Sequence, residues 1–124
     1  MTDPAGLADH YHNPRNLGDL AEPDAIALVH NPVCGDMLRL VASCRDGVIV
    51  EARFKAYGCA AAIAAGSVAA ELISGTTVDE AASIKDEDIR SVLGSLPPMK
   101  VHAIVLAREG IQTLVEQLRQ ADND

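Results

Sequence analysis

Two segments of alternating apolar and polar residues, joined by a short turn, constrain the fold of this chain more than any other feature of its sequence. Residues 38–43 carry apolar side chains at the even positions. Residues 48–57 have an apolar face made of Val48, Val50, Ala52, Phe54 and Ala56. The Arg45-Asp46-Gly47 turn between them is a hairpin signal. The pattern predicts two antiparallel strands, with one face buried and one largely charged face in solvent.

The segments on either side of this hairpin complete a prediction of the fold class. A short apolar run, Ala25 to His30, predicts a strand before the hairpin, and helical patterns dominate after it. Thr77 and Glu80 have the spacing of a capping box that opens a short helix. The other predicted helices span residues 7–12, 59–74, 86–93 and about 99–118. Strands followed by helices predict an α+β fold, in which helices pack on one face of a small three-stranded antiparallel sheet.

Length and charge limit the classes of function. A chain of 124 residues fits a single domain, 1–124, with allowance for a flexible N-terminus. A net charge of −8 argues against nucleic acid or an anionic membrane as the partner. No apolar run approaches 18 residues, and the N-terminus lacks the pattern of an export signal. We therefore expect a cytoplasmic protein without a membrane span.

Three cysteines make an odd count in such a chain, which favours thiol or metal chemistry over a disulfide framework. Cys34 and Asp36 flank a glycine in a turn, where both side chains could point inward or could simply be a buried thiol beside a turn carboxylate. Cys59 lies at a predicted helix N-terminus, which stabilises a thiolate, although an alanine-rich helix also tolerates cysteine as a core residue. Cys44, at a strand end, is interpreted as structural.

Histidines give weaker signals. His102 begins the last predicted helix, where a single histidine is more often a surface residue than a ligand. His10, His12 and His30 show no ligand spacing and are interpreted as surface residues, although His30 lies four positions before Cys34.

Longer segments around these residues resemble one known family. Asn31-Pro-Val-Cys-Gly-Asp36, Ala52-Arg-Phe-Lys-Ala-Tyr-Gly-Cys59 and Leu96-Pro-Pro-Met-Lys-Val-His102 resemble the three signature segments of the IscU/NifU iron–sulfur cluster scaffolds. Tyr11-His-Asn-Pro-Arg-Asn16 and Gly75-Thr-Thr-Val-Asp-Glu-Ala81 resemble two further segments, in the same order. The resemblance implies an IscU/SufE-like fold.

The resemblance also implies a site and a set of partners. Its ligands would be Cys34, Asp36, Cys59 and His102, holding zinc, iron or a transient [2Fe–2S] cluster in a protein that has no catalytic turnover of its own. A cysteine desulfurase would supply sulfur, and apo-proteins would accept the cluster. The segment Leu96, Pro97, Pro98, Met99 and Lys100 resembles the family's docking motif for an Hsp70-type chaperone, with methionine in place of valine. Two prolines before a helix could equally serve only to mark its start.

One position departs from the family pattern. The third family cysteine should follow His102, where this chain has Ala103, and a methyl group can neither bind metal nor accept sulfur. Cys34, Asp36, Cys59 and His102 still make a complete set for tetrahedral zinc, or for one side of a labile cluster. Two alternatives stay open: a zinc-dependent persulfide acceptor similar to SufU, and a degenerate regulatory relative that binds the desulfurase.

Overall fold

The computed structural model describes residues 5–32, 35–94 and 96–122, which form three strands and five α-helices. The strands are β1 (Ala25–His30), β2 (Met37–Arg45) and β3 (Val48–Tyr57). The helices are α1 (Ala5–His12), α2 (Ala60–Ile73), α3 (Val78–Ala82), α4 (Asp86–Leu93) and α5 (His102–Asp122), with a 3₁₀ turn at Pro98–Lys100. Apart from small shifts at the ends, these elements are those that the sequence predicts.

The strands form one antiparallel sheet in the order β1-β2-β3. Between β2 and β3 the chain turns through Asp46 and Gly47, both of which have positive φ angles, of 54° and 78°. Two left-handed residues in a two-residue turn match the right-handed twist of the flanking strands. The predicted hairpin is therefore confirmed.

A β-bulge near the start of β3 changes the predicted burial of that strand. Ser43 pairs with Glu51 and Cys44 pairs with Ile49, so that Val50 has no opposite residue in β2. Ile49 is consequently buried, whereas Val50 is exposed. The prediction that Val50 belongs to the apolar face was wrong, because strict alternation does not continue through the extra residue. Ile49 also pairs its backbone with Gly75 and Thr76 in the connection after α2.

Helices α2 and α5 cover the inner face of the sheet and pack against each other. The core contains the inward residues of all three strands, including Leu38, Leu40 and Phe54. A methyl group added at Gly66 of α2 would lie 2.7 Å from a ring atom of Phe54, so this glycine lets the helix approach the sheet closely. The α+β prediction is confirmed. None of the helices within the described ranges is long and apolar enough to cross a membrane.

The two edges of the sheet differ. Gly18 and Asn16 exchange backbone hydrogen bonds with Phe54, and so cover part of the β3 edge. The chain then crosses to β1 on the opposite edge, and the ion pair between Asp19 and Arg39 places this crossing on the outer face of the sheet. At the β1 edge, the Ile26 N–H donates to the side-chain oxygen of Gln117 at 2.9 Å.

His10 is the clearest departure from the predicted surface residues, because it is buried between α1 and α2. Its Nδ1 lies 2.8 Å from the Ser67 hydroxyl oxygen, which also accepts the Arg15 backbone N–H at 2.7 Å. Burial, followed by the positive charge of Arg15, lowers the pKa of His10 below 6.5 despite the opposing carboxylates of Glu71 and Asp9. The interpretation of His10 as a surface residue was wrong. The His10 side chain connects α1 to α2 through its hydrogen bond with Ser67.

Candidate metal centre

Three chain segments that are distant in sequence meet at one end of the sheet. Asp36 immediately precedes β2, Cys59 is the N-cap residue of α2, and His102 is the first residue of α5. One ligand atom of each side chain lies within 4.8 Å of the other two. The antiparallel sheet brings Asp36 next to the end of β3, and the helices that follow supply the thiol and the imidazole. The fold thus assembles a thiol, a carboxylate and an imidazole.

Asp36 is the centre of this cluster, and the protein buries its carboxylate. Its Oδ1 accepts the Cys59 backbone N–H at 3.2 Å. Its Oδ2 faces both other side chains: the Cys59 thiol donates to it at 3.6 Å, and His102 Nε2 lies 3.2 Å away. The two oxygens therefore have separate roles. Oδ1 is held by the backbone, and Oδ2 is the oxygen available to a metal ion.

These separations suit a tetrahedral ion. Ligand distances of about 2.0–2.3 Å place neighbouring ligand atoms of a tetrahedron roughly 3.3–3.8 Å apart. The Sγ–Oδ2 and Nε2–Oδ2 separations of 3.6 and 3.2 Å are close to this range. An ion that binds between Asp36, Cys59 and His102 would displace the thiol proton, because metal ligands bind in their deprotonated forms. The donor set of sulfur, nitrogen and oxygen is one that zinc accepts.

Gly58 makes the approach of Asp36 to Cys59 possible. Its φ is +141°, a value that residues with a side chain rarely adopt. A methyl group at this position would lie 2.0 Å from Asp36 Oδ1. In the sequence, Gly58 marks the end of the predicted strand and belongs to the segment that resembles the family signature. A glycine directly before a helix-capping cysteine was the available signal for its role.

The other residues considered from the sequence fall into three groups. Cys34, the fourth predicted ligand, lies outside the described residues. Cys44 sits eight residues along β2 from Asp36, or about 25 Å, so it cannot join the same site. Its backbone N–H donates to Asp24. His12 and His30 are exposed, as predicted.

Ala103 and the proline segment flank His102. Ala103 is buried in the apolar core, one residue after His102, whose ring is partly accessible. Before them, Pro97 and Pro98 are exposed and lead through the 3₁₀ turn into α5. An exposed, proline-stiffened segment is pre-ordered for binding in a groove. That role stays a prediction.

Comparisons with known proteins agree with this architecture. The family model for the NifU-like N terminal domain matches residues 5–123. The chain is 44% identical over 117 residues to the iron-sulfur cluster assembly scaffold protein IscU of Azotobacter vinelandii, covering 91% of each chain. It is 42% identical over 113 residues to the IscU scaffold protein of Escherichia coli strain K12, covering 88% of each.

Solved structures show the same fold at lower sequence identity. A NifU-like protein (N-terminal) from Brucella abortus superposes with a TM-score of 0.75 at 23% identity, covering 93% of this chain and 92% of the other. A scaffold protein for the SUF system from Fervidobacterium islandicum gives 0.74 at 20% identity, covering 89% and 93%. With a family match across nearly the whole sequence and relatives above 40% identity, the chain belongs to the IscU/NifU N-terminal domain family.

Proposed function

We propose that this protein is an iron–sulfur cluster assembly scaffold or carrier, which holds a transient [2Fe–2S] cluster, or zinc or iron, as its cargo. The observation that carries the proposal is the convergence of Asp36, Cys59 and His102 within 4.8 Å. The scaffold role named for the Azotobacter and Escherichia relatives supports it. We propose Cys34 as the fourth ligand on the family resemblance. The protein acts by binding and release and has no turnover of its own.

The three described residues of the site supply different kinds of ligand atom to the cargo. Cys59 supplies a soft sulfur ligand at the N-terminus of α2. His102 supplies a neutral nitrogen ligand. Asp36 completes the set with a hard oxygen ligand, which binds iron–sulfur clusters and other soft centres less strongly than a thiolate. A carboxylate ligand therefore favours a labile site, as a carrier requires.

The partners follow from the proposed role. A cysteine desulfurase would deliver sulfur to the site, and acceptor apo-proteins would remove the cluster. An Hsp70-type chaperone would bind the segment 96–100, where Pro97 and Pro98 are exposed. Extended proline-containing segments bind in peptide grooves with a small entropy cost, because their backbone is already restricted.

Anaerobic reconstitution tests the proposal. The protein is incubated with iron, a cysteine desulfurase and cysteine, and visible absorption and metal content are then measured. We expect cluster absorption in the parent protein, and about one zinc ion per chain in the protein as purified. Cys59→Ala should lose both signals, whereas Cys44→Ala, which removes a thiol at the opposite end of β2, should keep both. Equal behaviour of the two variants would contradict the proposed site.

A second candidate function rests on Ala103. Because position 103 carries a buried methyl group, the thiol that receives sulfur in the family pattern is missing. The protein could then act as a zinc-dependent persulfide acceptor through another cysteine, or bind the desulfurase in a regulatory role. Mass spectrometry after incubation with the desulfurase separates these functions. Persulfide on Cys59 or Cys34 favours the acceptor, and label found mainly on Cys44 would contradict it. Desulfurase binding without any label or cluster favours regulation.

A further inference from the structure

The outer face of the sheet has an exposed region next to the metal centre. Leu38 and Leu40 of β2 are buried under the helices, so Met37 and Arg39 point to the outer face. Residues directly opposite each other in a sheet share a face, and the register therefore defines two rows across the three strands. We call the six residues of these rows the outer patch: Leu28, Arg39 and Lys55 in one row, and His30, Met37 and Tyr57 in the other.

The outer patch carries exposed apolar surface. Leu28 is 59% exposed and Tyr57 is 62% exposed, and Met37 is also exposed. In the next row along the sheet, Val41 lies on the same outer face but is fully buried, whereas Ile26 at the β1 edge is exposed. The crossing segment between Leu17 and β1 passes over the outer face and is fastened at Arg39. It therefore leaves uncovered the half of the outer face that adjoins the metal centre.

The charge of the outer patch is opposite to that of the whole chain. Its six residues include two cations, Arg39 and Lys55, and no carboxylate, although the net charge of the protein is −8. Asp19 is a neighbouring carboxylate, and it forms an ion pair with Arg39. Its pKa is lowered first by the Leu20 backbone N–H and then by Arg39, with a further contribution from Lys55. One carboxylate thus faces two cations, and the patch keeps a positive charge.

The location of the outer patch connects it to the metal centre. Met37 directly follows Asp36, and Tyr57 precedes Cys59 by two residues. These two patch residues are also opposite each other in the sheet. The row of His30, Met37 and Tyr57 therefore adjoins the segments that supply Asp36 and Cys59, and a protein that rests on the patch would lie beside this end of the sheet.

From these observations, we propose that the outer patch is the docking surface for a small acidic iron–sulfur acceptor protein whose carboxylates surround an apolar contact. A second copy of this chain is a poorer occupant, because two patches face to face would bring Arg39 and Lys55 against the same cations. A carboxylate-bearing surface neutralises both and covers Leu28 and Tyr57. The identity of the partner as an acceptor rests on the proposed function. The inference that the partner has an acidic contact surface rests only on the charge of the patch.

Binding of the apo form of a plant-type [2Fe–2S] ferredoxin, a strongly acidic acceptor, tests this proposal by biolayer interferometry. Lys55→Glu and Leu28→Glu should each weaken binding by about tenfold or more, because they place carboxylates opposite carboxylates. Val50→Glu is the matched control, since Val50 is also an apolar strand residue, 55% exposed, but lies at the far end of β3. It should change binding less than about twofold. Thermal unfolding checks that each variant is folded, and Lys55→Glu alters only an exposed side chain.

The possible results decide between the alternatives. Absence of ferredoxin binding by the parent protein, or equal losses in Lys55→Glu and Val50→Glu, would overturn the docking proposal. Sedimentation velocity that shows a parent dimer dissociated by Leu28→Glu would assign the patch to a second copy instead. Cluster uptake, measured separately in the same proteins, tests the proposed function. Patch-dependent binding without cluster uptake would support the docking surface and contradict the scaffold role. Cluster uptake without patch-dependent binding would contradict only the docking surface.

Discussion

Replacement of Gly58 by alanine should disturb the candidate metal centre directly. Two effects act at this position. The backbone has a φ of +141°, which an alanine residue adopts only with strain. The added methyl group would also lie 2.0 Å from Asp36 Oδ1 and 2.7 Å from the carboxylate carbon, so that the buried carboxylate must move. Movement of this group breaks its hydrogen bonds with Cys59 and its contact with His102.

The size of the effect follows from these two contributions. Strain at a strongly disfavoured φ costs about 1–3 kcal/mol. A buried carboxylate that loses hydrogen-bond partners costs about 1–3 kcal/mol more. Gly58→Ala should therefore lower the free energy of unfolding by roughly 2–6 kcal/mol, a large part of the 5–15 kcal/mol that is usual for a domain. Affinity for zinc should fall by at least about 10–100-fold, the loss seen when groups that only orient metal ligands are displaced, because Asp36 is itself a proposed ligand.

Gly47→Ala is a matched control. Gly47 also has a positive φ, of 78°, but a methyl group there would meet nothing within 4 Å. We expect a loss of about 1–2 kcal/mol of stability from the left-handed backbone and an unchanged zinc affinity. Urea unfolding and competition with a chromogenic zinc chelator give the two quantities. Parent-like zinc affinity in folded Gly58→Ala, or an equal loss of affinity in Gly47→Ala, would refute the argument.

Two further predictions concern His10 and Ala103. Because the fold lowers the pKa of His10 by burial, the unfolded chain binds the proton more readily, and stability should decrease as the pH falls below 6.5 towards that lowered pKa. His10→Gln should remove much of this decrease, whereas the exposed His12→Gln should keep it, as measured by urea unfolding between about pH 7.5 and 5. Ala103→Cys adds a soft ligand beside His102 and should lengthen the lifetime of a reconstituted [2Fe–2S] cluster, followed by its visible absorbance under argon. Equal lifetimes would mean that position 103 does not reach the cluster.

Sequence signals that act over short distances predicted most of the fold. The hairpin depends on Asp46 and Gly47, and the capping box of α3 depends on Thr77 and Glu80, which exchange hydrogen bonds as predicted. Asp36, Cys59 and His102 were selected from a family resemblance, and their convergence depends on chain segments up to 66 residues apart. Local patterns contain no information on such distances, so the resemblance was needed.

The incorrect predictions concern the burial of Val50 and His10. In both cases, contacts with residues distant in sequence determine which side chain is buried. Ile49 and Val50 are both β-branched apolar residues, and either could occupy the inward position. The pairing of Ile49 with Gly75 and Thr76 is associated with the bulge and is not visible in an alternation pattern. His10 is a polar residue on a short helix, and its hydrogen-bond partner Ser67 is 57 residues away. A polar side chain is predicted to be exposed unless such a partner is known.

The difference between the two sheet edges limits how copies of this protein can associate through strands. Part of the β3 edge is occupied by backbone from residues 16–18 and by the connection after α2. Among the described residues, no strand pairs with the outer edge of β1. Of the two edges, β1 is therefore the more open to the addition of a strand. Two copies joined through β1 would each present only the partly covered β3 edge to a further chain, which favours a closed dimer over a fibre.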